Sequence, residues 1–157
     1  MARKLVPEVL ELVRQAKTKQ EKVEILKTNS HPALRDILRI QFDADVISVL
    51  PEGAPPYEKD DAPVGHSSSS LFRLHKRFKY FFKGPVANQV KPIKRESLFI
   101  DALESMHPSE SDLLIEVKDR KLKGITKALV DEAFPGLVVK AYKQPAAKKA
   151  TTKKKEK

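Results

Sequence analysis

The residues best suited to chemistry fall in one stretch. Leu71-Phe72-Arg73-Leu74-His75-Lys76-Arg77-Phe78-Lys79-Tyr80-Phe81-Phe82-Lys83 interleaves the cations Arg73, Lys76, Arg77, Lys79 and Lys83 with aromatic side chains. Cations neutralise phosphates and exposed aromatics stack on bases, so the pattern suits contact with DNA or RNA. Leu71, Leu74, His75, Phe78, Phe81 and Phe82 also keep the spacing of one helix face, so a core helix with a solvated basic side fits the same residues. Tyr80 lies off that face, near Arg73, Lys76 and Arg77 on a helical wheel, and is the aromatic placed for stacking. Lys91, Lys94 and Arg95 open a later helix and extend the patch. A second cationic region, 143–157, holds seven Lys and one Glu, with Lys148, Lys149, Lys153, Lys154 and Lys155 as its densest part. It reads equally as an electrostatic arm for nucleic acid and as a solubilising tail.

Catalytic chemistry needs a nucleophile, an acid–base pair or a metal at defined spacing. Cysteine is absent, which removes disulfides, thiolate nucleophiles and Cys-ligated zinc. The five glycines are scattered, so no phosphate-cradling loop forms, and neither a zinc-protease nor an EF-hand pattern occurs. His31 and His107 precede prolines, His66 sits in a serine-rich stretch, and His75 lies on the apolar stripe as half-buried packing. Asp43-Ala44-Asp45 and Asp60-Asp61 are close acidic pairs that read as a helix end and a solvated loop. The expectation is a non-enzymatic chain with no catalytic residue, no metal site and no cofactor.

The elements that must position these groups are helical. Leu5, Val9, Leu12, Val13 and Ala16 form one stripe, and Thr18 with Glu21 forms a capping box that marks a helix start, leaving one long helix or two over 5–28. Pro32–Gln41 is a helix with Ser30 as its cap. Asp45–Leu50 fits a strand or a helical turn. Residues 71–83 read as the clearest helix, stopped by Gly84-Pro85, with a loop at 86–92. Helices follow at about Ile93–Met106, from Ser109 to about Leu122, and from Thr126 to Phe134. The pair His31-Pro32 with Asp36-Ile37-Leu38 recurs as His107-Pro108 with Asp112-Leu113-Leu114. A duplicated helix pair and the ordinary use of His-Pro as a helix start both explain this echo.

The predicted fold class is all-α: a small helical domain, divisible into an N-terminal lobe at 1–50, a loop or linker at 51–70, a C-terminal lobe at 71–142 and a disordered Lys-rich tail at 143–157. The proline-rich run Pro51–Pro56 and the serines 67–70 set the middle boundary. Of the net charge of +10, the tail supplies +6, so residues 1–142 are only mildly basic. No apolar run reaches the roughly 18 residues of a membrane span, and Pro7 and Glu8 interrupt any signal-peptide core. A soluble, intracellular protein without membrane contact is expected.

One resemblance joins these observations. Phe42-Asp43-Ala44-Asp45 leading to Leu50-Pro51-Glu52-Gly53-Ala54-Pro55-Pro56-Tyr57, and Arg95-Glu96-Ser97-Leu98-Phe99-Ile100 running into Leu103-Glu104-Ser105-Met106-His107-Pro108-Ser109-Glu110, are similar to signatures of a family of small proteins from T4-like tailed phages, marine ones included. Leu113-Leu114, Lys118-Asp119-Arg120-Lys121-Leu122 and Glu132-Ala133-Phe134-Pro135 complete the pattern, which spans roughly residues 5–138. The resemblance implies a phage-encoded protein acting in the cytoplasm of an infected bacterial cell, and it brings no active-site residues with it. Three functions follow as expectations: an accessory protein binding nucleic acid or a nucleoprotein assembly; an adaptor engaging host or phage replication or transcription proteins through the loop 51–70, with its Pro55-Pro56-Tyr57; and a minor virion component.

Overall fold

A computed structural model describes residues 4–63 and 66–142. The tail lysines Lys148, Lys149, Lys153, Lys154 and Lys155 lie outside them. The fold is all-α; among the described residues β-pairing is limited to two isolated bridges.

The first two helices are separate. Helix α1 spans Val6–Gln15 and α2 spans Lys19–Thr28. Thr18 Oγ1 accepts the Glu21 N–H at 3.1 Å, which starts α2 as the capping box predicts. The inward stripe of α1 is Val6, Val9, Leu10 and Val13. Leu12, predicted to face the core, is 36 % exposed, because Leu10 completes the i, i+3, i+4, i+7 face instead.

Helix α3 spans Pro32–Phe42 and α7 spans Pro108–Lys118. Ser30, the predicted cap of α3, does not cap it; a histidine opens each of the two helices. His31 Nδ1 accepts the Ala33 N–H at 3.0 Å, and His107 Nδ1 accepts the Ser109 N–H at 3.1 Å. The proline that follows each histidine lacks an N–H, so the ring reaches one residue further to the first free donor. The sequence echo is therefore a repeated cap, and the two helices it starts pack against each other.

The remaining helices are α4 (Leu71–Leu74), α5 (Pro85–Asn88), α6 (Pro92–Ser105) and α8 (Lys127–Ala133). Thr126 Oγ1 caps α8 by accepting the Leu129 N–H. Helix α1 packs on α2 and α7, α2 on α8, and α6 on α7. One apolar cluster results, to which residues 6–40 and 71–133 both contribute; Leu10, Leu26, Leu38, Phe81, Leu103 and Leu114 are almost fully buried within it.

The segment expected to link two lobes is tied to this core. Lys118 Nζ donates to the Pro51 carbonyl at 2.8 Å, Asp119 accepts the Gly53 N–H at 2.9 Å, and Glu104 accepts the Glu58 N–H at 2.9 Å. Residues 47–49 run extended against 81–83: Val49 N–H donates to Phe81 O at 2.9 Å and Lys83 N–H to Ile47 O at 2.7 Å.

Candidate nucleic-acid interface

Residues 71–95 carry eight Lys or Arg and no Asp or Glu. They do not form the single long helix predicted over 71–83. After one α-helical turn, α4, the chain tightens into a 3₁₀ segment, His75–Tyr80. The bridge between Ser48 and Phe82 draws the following residues into extended pairing, which stops helical propagation.

The tighter winding decides which cations stand together. In a 3₁₀ helix residues three apart eclipse. His75 and Phe78 share the inward column, Lys76 and Lys79 a second, and Arg77 and Tyr80 a third. Arg73, Lys76, Arg77, Lys79 and Lys83 are all exposed and make no ion pair among the described residues. Tyr80 is half-buried against the core, and Lys79 Nζ stands 5.7 Å from its ring centroid.

The Lys76–Lys79 column faces α3 across a groove of about 310 Å³. Asp36, Arg39 and Ile40 of α3 form one wall, and Val46 closes one side. His75, Phe78, Phe82, Lys83 and the Gly84–Val86 turn form the other wall. Arg77 and Tyr80 lie outside it. His75 Nδ1 lies 2.7 Å from Asp36 Oδ2, and the ring meets His31 and Phe78 edge-on. Its side chain is 11 % exposed, so the packing role predicted for it stands beside a polar one. Arg39 Nε approaches Asp43 Oδ2 at only 4.0 Å. Asp43 already accepts the backbone N–H groups of Asp45 and Val139, so the Arg39 guanidinium keeps donors for other partners.

The other predicted cations divide. Lys91 and Lys94 are exposed at the start of α6, away from the groove lining. Arg95 is committed to the fold: its Nη2 donates to the carbonyls of Ala87 at 2.7 Å and Val90 at 2.9 Å, closing the end of α5. Asp36 and Arg39 were not singled out by the sequence. They stand one turn apart on the polar side of α3, and no local pattern pairs that side with residues 75–86. Among the described residues no group of three or more His, Asp or Glu side chains converges as a metal site, and no helix is long and apolar enough to cross a membrane.

A family model, described as a family of unknown function (DUF6433), matches residues 9–124. The chain belongs to that family. The DUF6433 match runs from α1 through Gly124, so it takes in both walls of the groove and stops short of α8 and the lysine tail. Among curated proteins none matches the chain.

Proposed function

We propose that this DUF6433 protein is a non-enzymatic nucleic-acid-binding protein, phage-encoded and acting in the cytoplasm of an infected bacterium. The basic face at 73–83 makes the contact, with the Lys-rich tail as a second, sequence-blind arm. The observation that carries the reading is the acid-free stretch 71–95, whose exposed cations stay clear of the protein's own carboxylates. Several cations elsewhere are paired: Lys118 is buried against Asp119, and Lys19, Lys59, Lys121 and Lys127 meet carboxylates, whereas exposed lysines such as Lys17 and Lys123 stand singly rather than in a row. An unpaired like-charge row costs self-repulsion, and a polyanion relieves it. The phage setting is supported by the loop and helix signatures described above. The proline-rich loop supports an adaptor role less well, since Pro51, Gly53 and Glu58 hydrogen-bond to α6, α7 and the residue after it through their backbones.

Titration of the full chain against labelled DNA at two salt concentrations tests this. Each phosphate contact contributes about −0.9 to the slope of log K against log salt, so neutralising Arg73, Lys76 and Arg77 together flattens the slope by roughly two to three. Absence of binding at low salt, or a slope that the triple variant leaves unchanged, overturns the reading.

A further inference from the structure

We propose that the groove between α3 and the 75–86 turn seats one unstacked nucleotide of a single-stranded nucleic acid. The proposal rests on the nucleic-acid reading above and adds strandedness to it.

Arg39, Lys76, Lys79 and Lys83 line the groove, against a single lining carboxylate, Asp36, which His75 holds at 2.7 Å. Between these cations the lining is apolar: Val46 and Val86 are half-buried, Pro85 is exposed, and Phe78 and Phe82 lie beneath. A duplex presents phosphates and sugars outward and keeps its base faces stacked, so a platform for duplex needs no apolar wall. A wall of this kind set among cations matches an unpaired base, whose faces are free, with its phosphate on the rim. The volume, about 310 Å³, lies at the small end of the roughly 300–1,000 Å³ of ligand clefts, which suits a nucleotide-sized unit. Asp36 occupies Nδ1 of His75, so Nε2 is the ring nitrogen left to meet a base edge or a ribose hydroxyl.

The test uses the full chain, a fluorescein-labelled oligothymidylate and a duplex of equal length, read by anisotropy at one salt concentration. Tail lysines favour the duplex, whose charge density is higher, so a preference for the single strand reports the groove and not the tail. The expected result is a preference of roughly threefold for the single strand, below the roughly tenfold or more of a base stacked on an aromatic ring, because Phe78 and Phe82 are buried beneath the aliphatic lining. Val86→Ser lowers that preference, whereas Lys79→Ala with Lys83→Ala weakens both ligands; thermal melts confirm that each variant folds. Ultraviolet crosslinking of a 5-iodouracil-substituted strand, mapped by mass spectrometry, places the base on residues 75–86 or on Arg39 and Ile40. Equal affinity for both ligands, or crosslinks confined to 143–157, overturns the groove assignment and leaves the general nucleic-acid reading standing. Failure to bind either ligand overturns both.

Discussion

At the scale of single residues, the most consequential group away from the groove is Glu110. It is 1 % exposed, and its carboxylate accepts the Leu71 N–H at 2.8 Å, joining α7 to the start of α4. Burial pushes its pKa up to about 7, against the smaller downward pull of the Leu71 and His107 backbone N–H groups. The folded chain therefore holds the Glu110 proton more tightly than the unfolded chain does. Its contribution to stability is full below the unfolded value near 4.5 and is lost as pH rises to about 7. Urea titrations across that range should show stability falling by up to roughly 3 kcal/mol. Glu110→Gln keeps an acceptor for Leu71 without the charge and should flatten that dependence. Glu110→Ala leaves the Leu71 N–H unpaired and should cost about 1–3 kcal/mol at acidic pH, where the wild-type carboxyl is protonated, and less as pH rises to about 7. Gly124 is a second sensitive position. Its φ is +79°, and an added Cβ would come within 2.9 Å of Arg14 Cγ, whose Nε donates to Lys123 O. Gly124→Ala should lower stability by about 1–2 kcal/mol, measured by chemical denaturation.

Elements show how local rules and distant contacts divide the work. The His-Pro helix starts follow local chemistry, since a ring acceptor two residues before the first free N–H acts like an Asn or Asp cap. His107→Ala should destabilise by about 1 kcal/mol, and His107→Asn should recover most of that. The 71–83 segment obeys the opposite logic. Its apolar spacing alone describes an α-helix, yet the pairing of Ile47–Val49 with Phe81–Lys83 ends helical winding early. Phe81, 2 % exposed, stacks edge-on against Phe99 at 5.3 Å between ring centroids. Phe81→Ala should cost about 3–5 kcal/mol, read from the urea midpoint. It should also weaken nucleic-acid binding, because Phe82 and Lys83 depend on the same turn.

For the whole molecule, the shared core joins what the sequence divides at residues 51–70. Helix α3 packs on α4 and α7, and α1 packs on α7, so neither half buries its apolar faces alone. Far-ultraviolet circular dichroism and tyrosine fluorescence should report one coincident unfolding transition; two separated transitions would show that the halves unfold independently. Charge is arranged at the same scale. Arg120 turns inward from the residue after α7 and Asp119, donates Nη2 to the Val46 carbonyl and lies 4.0 Å from the Tyr142 ring, fixing the C-terminal described residues beside α3. Burial pulls its pKa down, with Tyr142 and Asp43 opposing. Arg95, Lys118 and Arg120 serve the fold, whereas Arg73, Lys76, Arg77, Lys79 and Lys83 are exposed.

The all-α class, most helix starts and the cationic identity of 71–83 were written in the sequence. They depend on periodicity, on capping side chains and on prolines, all of which act within a few residues of themselves. The 3₁₀ winding, the commitment of Arg95 to α5 and the groove formed with Asp36 and Arg39 came only with the tertiary structure. The winding and the groove depend on partners distant in sequence, Ser48 for Phe82 and Asp36 for His75, while Arg95 reaches back across a turn to carbonyls that helix periodicity does not mark. Spacing along a chain records which residues share a helix face. It does not record which face of another helix will meet them, because burial of the combined apolar surface selects that arrangement after the helices exist.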